Sequence, residues 1–204
     1  MSQKQERIYK IKEQIKNIYL ASKSFVLLKK SKKYKLMNKK LKERIMLSVT
    51  EVNGCTLCSF VHTKVALGAG MSKENIKAIL DGNHNNIPVG DAVAVMFSQE
   101  FAYSKEQPSD ESINRLIQEY GIQKAELVLA VCNVITMTNG MGISMAMFGD
   151  RLRFRREKRS NIMVEIMNPL LTMILFPPLV IYNMVYCFFK DVNLFSKNRK
   201  LVKE

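Results

Sequence analysis

Glu43, Cys55, Cys58 and His62 bring a carboxylate, two thiols and an imidazole together within one short stretch of chain. On a helix Cys58 is turned ~300° from Cys55 and His62 a further ~400°, so His62 returns to within ~20° of the direction of Cys55. The two cysteines and the histidine therefore share one helical face over two turns. Asn53-Gly54 stops the preceding helix, which puts Cys55 at a helix start. Exposed N–H groups and the positive dipole end favour thiolate there. His62, one turn beyond Cys58, can accept its proton directly or through a water. A glutamate of the preceding helix, Glu43 or Glu51, can then orient and polarise the imidazole, as the acid does in other nucleophile–base–acid relays.

Other chemistry fits the same residues. Cys-x-x-Cys is shared between redox and zinc sites, so a metal site of Cys55, Cys58, His62 and Glu43 is a second reading. Structural zinc prefers paired knuckles, and the chain has no second Cys-x-x-Cys. A third reading is a redox-silent scaffold held at a membrane, whose Cys58 would titrate near the free value of ~8.5. Cys132 and Cys187 lie in apolar helical stretches and read as core residues; nothing in the spacing of His84, in an Asn-rich loop, assigns it a role.

Glu-x11-Cys-x-x-Cys-x-x-x-His, with Glu43 twelve residues before Cys55 and the surrounding VNGCTLCSFVHTKVALGAGMS, resembles the signature of the carboxymuconolactone decarboxylase superfamily, in its alkyl hydroperoxidase D-like branch. The resemblance spans roughly 35–150 and concentrates in 43–80. It implies an all-α fold that assembles into homo-oligomers, as trimers or multiples of them. It also implies thiol chemistry without a cofactor or metal: Cys58 as the peroxidatic thiol, Cys55 as the resolving thiol, His62 as proton relay and Glu43, rather than Glu51, as its support. The partners implied are a hydroperoxide or disulfide substrate and a thiol or dithiol electron donor. Decarboxylase members generally lack the Cys pair, so its presence favours the redox branch. The family's peroxidase pattern carries a second His between the cysteines, where this chain has Thr56-Leu57. Asn139 resembles a late Asn of the superfamily and receives no role.

The elements that must position these groups all read as helices, and no strand-like alternation of useful length occurs. Ile8, Ile11, Ile15, Ile18 and Phe25 form a 3-4 seam with lysines outside it, which predicts a basic helical arm docking on its own domain or a neighbouring subunit, followed by a solvated connection over 29–35. Further helices are predicted over 39–51, over 55–68, and over 73–80 after the cap Ser72. Three more follow near 89–104, over 110–120 after Pro108-Ser109, and over 123–148, the last disturbed by Asn139-Gly140 and Gly142. The expected architecture is a compact helical bundle in three parts: arm 1–34, catalytic domain 35–150, and a basic cluster with an apolar extension over 151–204.

The 204 residues suit one compact domain, and four cysteines are too few for a disulfide scaffold, which fits a reducing, cytoplasmic setting. Lys+Arg number 32 against 18 Asp+Glu, a net +14 that is unevenly spread. Residues 1–44 carry 15 basic and 3 acidic side chains and 151–160 carry 6 and 1, whereas 45–150 carry 6 and 11. Basic ends around an acidic centre point to an anionic surface acting on the ends. No zinc-finger spacing, RNP-like aromatic pattern or phosphate loop accompanies that charge, which excludes the usual nucleic-acid modules. A membrane surface has better support, because residues 166–189 form 24 positions without a charge beside the arginine-rich 151–159. Pro177-Pro178 predicts a break in that run, so two short apolar helices packed into a core or a subunit interface compete with membrane contact.

Overall fold

The computed structural model describes residues 6–31, 36–83, 87–155, 157–189 and 194; His84 and the side chain of Cys187 lie outside the described residues. The chain is all-α. Seven helices follow one another among the described residues: α1 (Ile11–Ser31), α2 (Lys39–Asn53), α3 (Thr56–Gly68), α4 (Lys73–Leu80), α5 (Val89–Tyr103), α6 (Asp110–Leu152) and α7 (Ile162–Phe189).

Local sequence signals set most of the boundaries. Asn38, Ser72 and Ser109 cap α2, α4 and α6 by accepting N–H bonds from Leu41, Asn75 and Ser112 at 2.8, 3.2 and 3.2 Å. Gly54 ends α2 in the left-handed conformation (φ 75°), its N–H bonded to the Thr50 carbonyl. Gly121 is the one residue of α6 with non-helical dihedrals, at the junction predicted between 110–120 and 123–148.

The main core lies where α2, α5 and α6 meet, built from Leu41, Ile45, Val49, Phe97, Phe101, Leu116, Val131 and Ile135. Arg44 of α2 pairs with Asp91 of α5 at 2.6 Å across its edge. A smaller cluster around Leu47, Ala66, Ile76 and Ile79 fixes α3 and α4 against α2. α6 runs through the centre: 78 % of its most apolar window is buried.

Three expectations are corrected. First, the predicted seam of α1 is only partly the inner face: Ile18 is buried and Ile8 and Ile11 are half-buried, but Ile15 and Phe25 are exposed, while Gln14, Asn17, Ala21, Ser22, Ser24 and Val26 are buried. The reason is the surface that receives them. Gln14 donates to the Met137 carbonyl and the Thr172 hydroxyl, Asn133 donates to Ser24, and Asn183 donates to Ser22. The helix also takes in Lys29 and Lys30, which were expected in the connection. Second, α7 runs unbroken through Pro169, Pro177 and Pro178. Its inner face is held along its length by α1 and α6, and that packing outweighs the missing donors. Third, α6 passes through Asn139, Gly140 and Gly142 as regular helix, because those small residues admit close neighbours.

Candidate active site

The Asn53-Gly54 turn delivers Cys55 to the start of α3 as its N-cap, where Sγ accepts the N–H of Cys58 at 3.3 Å. Cys55 and Cys58 are joined as a disulfide with Cα atoms 5.3 Å apart. Both are buried, and Cys58 Sγ lies 3.7 Å from the Thr138 carbonyl of α6. One turn on, His62 Nδ1 is 2.8 Å from Glu43 Oε2, with Glu43 buried on α2 and His62 largely covered. A carboxylate can only accept, so Nδ1–H donates to it and Nε2 is left with its lone pair. The structure thus brings together Cys55, Cys58, His62 and Glu43, with the imidazole fixed in orientation by its bond to the glutamate.

Glu51 takes a different place. It is buried on the wall of a cleft of about 860 Å³ beside Cys55, with Glu6, Asp150, Glu157 and Arg159 also on its lining. Burial, and then the carboxylates of Asp150 and Glu157, push the Glu6 carboxyl above its ordinary value. Cys132 is fully buried on α6 against Ser98, and that burial pushes its thiol up to about 12, so it stays protonated and inert. Asn139 is buried and receives a hydrogen bond from Thr50 at 3.2 Å. Among the described residues no group of three or more His, Cys, Asp or Glu side chains is arranged to hold a metal ion.

Two contributions have no counterpart in the sequence reading. The segment before α1 closes over the Cys pair: Tyr9 is buried in one cluster with Cys55, Cys58, Ile143 and Met147. Arg7 fastens this segment, its N–H on the Asn53 carbonyl at 3.0 Å and its guanidinium in a two-point pair with Glu106. From the other side α6 presents Gly142, where a Cβ would stand 2.9 and 3.1 Å from the two sulfurs. Two glycines inside an apolar helix were the available signal for such a close approach. The Tyr9 contact, about fifty residues from the cysteines, left no local signal.

An all-helical scaffold carrying a paired Cys-x-x-Cys beside a His–Glu dyad is the site of a thiol-based oxidoreductase. The sequence profile described as the carboxymuconolactone decarboxylase family matches residues 28–84, the stretch that holds all four side chains. Over this segment the chain is similar to the carboxymuconolactone decarboxylase family, and its Glu43, Cys55-Cys58 and His62 arrangement is like that of the alkyl hydroperoxidase D-like branch. No curated protein and no solved structure matches the chain.

Proposed function

We propose that the chain is a thiol-dependent peroxidase or disulfide oxidoreductase in which Cys58 is the attacking thiol, Cys55 the resolving thiol, His62 the proton relay and Glu43 the group that positions His62. The observation that carries this reading is the Glu43–His62 hydrogen bond placed one helical turn from a closed Cys55–Cys58 pair. In the reduced state His62 Nε2 takes the Cys58 proton, and the thiolate attacks the O–O bond of a hydroperoxide. The S–O bond forms as the O–O bond breaks; the alkoxide leaves with the proton from His62, giving an alcohol and Cys58 sulfenic acid. The Cys55 thiol then displaces water from the sulfenic acid and restores the disulfide. An external dithiol returns both cysteines to thiols by exchange and is itself oxidised. When the substrate is a disulfide, the same thiolate attacks a sulfur in place of oxygen.

The remaining parts of the reading follow. The resemblance implies a homo-oligomer, a trimer or a multiple of one, and the exposed Leu57, Phe60 and Val61 of α3 supply an apolar surface for it. A reductant-dependent cycle suits the cytoplasm. The division into 1–34, 35–150 and 151–204 stands as our proposal for how the chain is organised.

The test is peroxide-dependent loss of two thiols from reduced protein, followed by peptide mapping. The expected result is a Cys55–Cys58 disulfide in the wild type, and in Cys55→Ser a trapped sulfenic acid on Cys58. Cys58→Ser should consume no peroxide. Glu43→Gln keeps an acceptor but loses the negative charge, and should slow thiol oxidation on the order of 10²-fold with the fold intact. A wild type that neither forms the disulfide with peroxide nor exchanges with a disulfide would overturn the proposal.

A further inference from the structure

α7 packs Leu171, Leu175, Phe176 and Leu179 against α1 and α6, yet it also buries polar side chains and leaves a larger apolar set outside. Glu165, Asn168, Thr172 and Asn183 are buried on one side, bonded to Arg151, Tyr9 O, Gln14 and Ser22. On the other side Met163, Ile166, Leu170, Met173, Ile174 and Ile181 are exposed, Met173 at 61 %. At 100° per residue those six fall within an arc of about 120°, opposite the buried polar set. Only 17 % of this apolar window is buried, so α7 is not a core helix. A surface of this size on a soluble chain marks a partner.

Just before α7 lies a second feature of the same kind. Phe154 is 97 % exposed and holds a left-handed backbone (φ 61°), which a bulky side chain rarely adopts. It projects between Arg153 and Arg155, with Lys158 exposed nearby. An aromatic side chain offered to solvent between cations, a few residues before an apolar helix, fits an interfacial anchor.

We infer that α7 and the described residues 153–155 and 157–159 before it form a docking face for an anionic lipid bilayer, with the apolar arc and Phe154 entering the acyl boundary and Arg153, Arg155 and Lys158 meeting the headgroups. Charge complementarity selects lipid over a second copy. Two copies joined through α7 would set the Arg-rich segments against each other if parallel and offer them no anionic surface if antiparallel, in a chain of net +14. The helix lies on the bilayer and does not cross it. α1 packs along α7 and carries Lys12 and Lys16 exposed, with Lys23 stacked 4.4 Å over Tyr19, and a crossing would draw these cations into hydrocarbon. This inference is independent of the thiol chemistry, and either can fail alone.

The experiment is flotation of the full chain with vesicles of phosphatidylcholine plus phosphatidylglycerol, against phosphatidylcholine alone, at low and high salt. The chain should float with the anionic vesicles and be released by salt. Phe154→Ser, a surface change that leaves the helices intact, should weaken binding about tenfold. Arg153→Gln should weaken it about fivefold. The double variant Ile174→Asn/Ile181→Asn should abolish it while keeping the wild-type thermal melt. Absence of flotation, equal flotation on neutral vesicles, or insensitivity to Phe154→Ser and Ile174→Asn/Ile181→Asn would overturn the inference. So would sedimentation showing that these variants break a self-assembly, since a second copy would then cover the face.

Discussion

A methyl group at position 142 is the smallest change the site should register. Gly142 sits where α6 passes the Cys pair, and an added Cβ would come 2.9 Å from Cys55 Sγ and 3.1 Å from Cys58 Sγ. Neither sulfur can retreat easily. Cys55 is tied to α3 as its N-cap, and both cysteines are packed against Tyr9, Ile143 and Met147. Gly142→Ala also gains helix propensity, about 1 kcal/mol at an unstrained interior position. Overpacking a rigid site costs about 1–3 kcal/mol, so the sulfur contact should outweigh the propensity gain. Denaturant unfolding of oxidised Gly142→Ala should therefore show lower stability than wild type. A net stabilisation would mean that α6 moves freely against α3. Gly140→Ala meets a different obstacle, the Gln14 carboxamide, and should disturb α1 instead of the sulfurs.

At the scale of elements, what was legible depended on how far apart the cooperating residues lie in sequence. The α2–α3 turn at Asn53-Gly54, the Ser72 cap, the helix start at Pro108-Ser109 and the break between 110–120 and 123–148 are each specified within a few residues and match the structure, whereas the Asn38 cap of α2 was not anticipated. Cys55, Cys58 and His62 were readable for the same reason, since one turn and one helix carry them all. Glu43 is nineteen residues from His62, and the resemblance singled it out over Glu51 where spacing alone kept both. The cover over the site was invisible, because Tyr9 and Arg7 act on residues far along the chain. The inner face of α1 differs from the predicted seam because it is mixed: Ile18 and Ala21 pack on Met137, and beside them Asn133, Thr172 and Asn183 of the neighbouring helices pair with polar side chains. The covering segment also yields a pH prediction. Glu6 lies in the cleft with its carboxyl raised above 4.5, first by burial and then by Asp150 and Glu157. The folded state therefore holds this proton more tightly than the unfolded state. The stability it contributes is present below 4.5 and is lost as pH rises through the raised value. Glu6→Gln should melt with the wild type in acid and above it at neutral pH; thermal melts across that range check the sign.

For the whole molecule, the net charge of +14 conceals a separation that the fold makes physical. Four carboxylates, Glu6, Glu51, Asp150 and Glu157, gather with Arg159 around the cleft beside Cys55, while exposed cations line α1, and the loop before α7 gives Glu157 and Arg159 to the cleft and Arg153, Arg155 and Lys158 to solvent. The two ends of the chain are what bound this arrangement, because α1 packs on both α6 and α7 and its leading segment closes over the sulfurs. A detachable arm and an integral helix make opposite predictions for a chain that begins at Leu36. Removing the preceding residues takes away the buried Ile18 and Val26, worth about 1.5–3 kcal/mol each. Tyr9 is lost with them, and so are the partners of Asn133, Asn168, Thr172 and Asn183. Against a typical domain stability of about 5–15 kcal/mol, that loss is a large fraction of the whole. The shortened chain should show a melting temperature lowered by well over about 10 °C, or no cooperative melt, and should aggregate through the uncovered faces of α6 and α7. Calorimetry and light scattering on the two chains decide the matter: an unchanged transition in the shortened chain would mean that α1 is an appendage after all, and that the site keeps its shape without Tyr9.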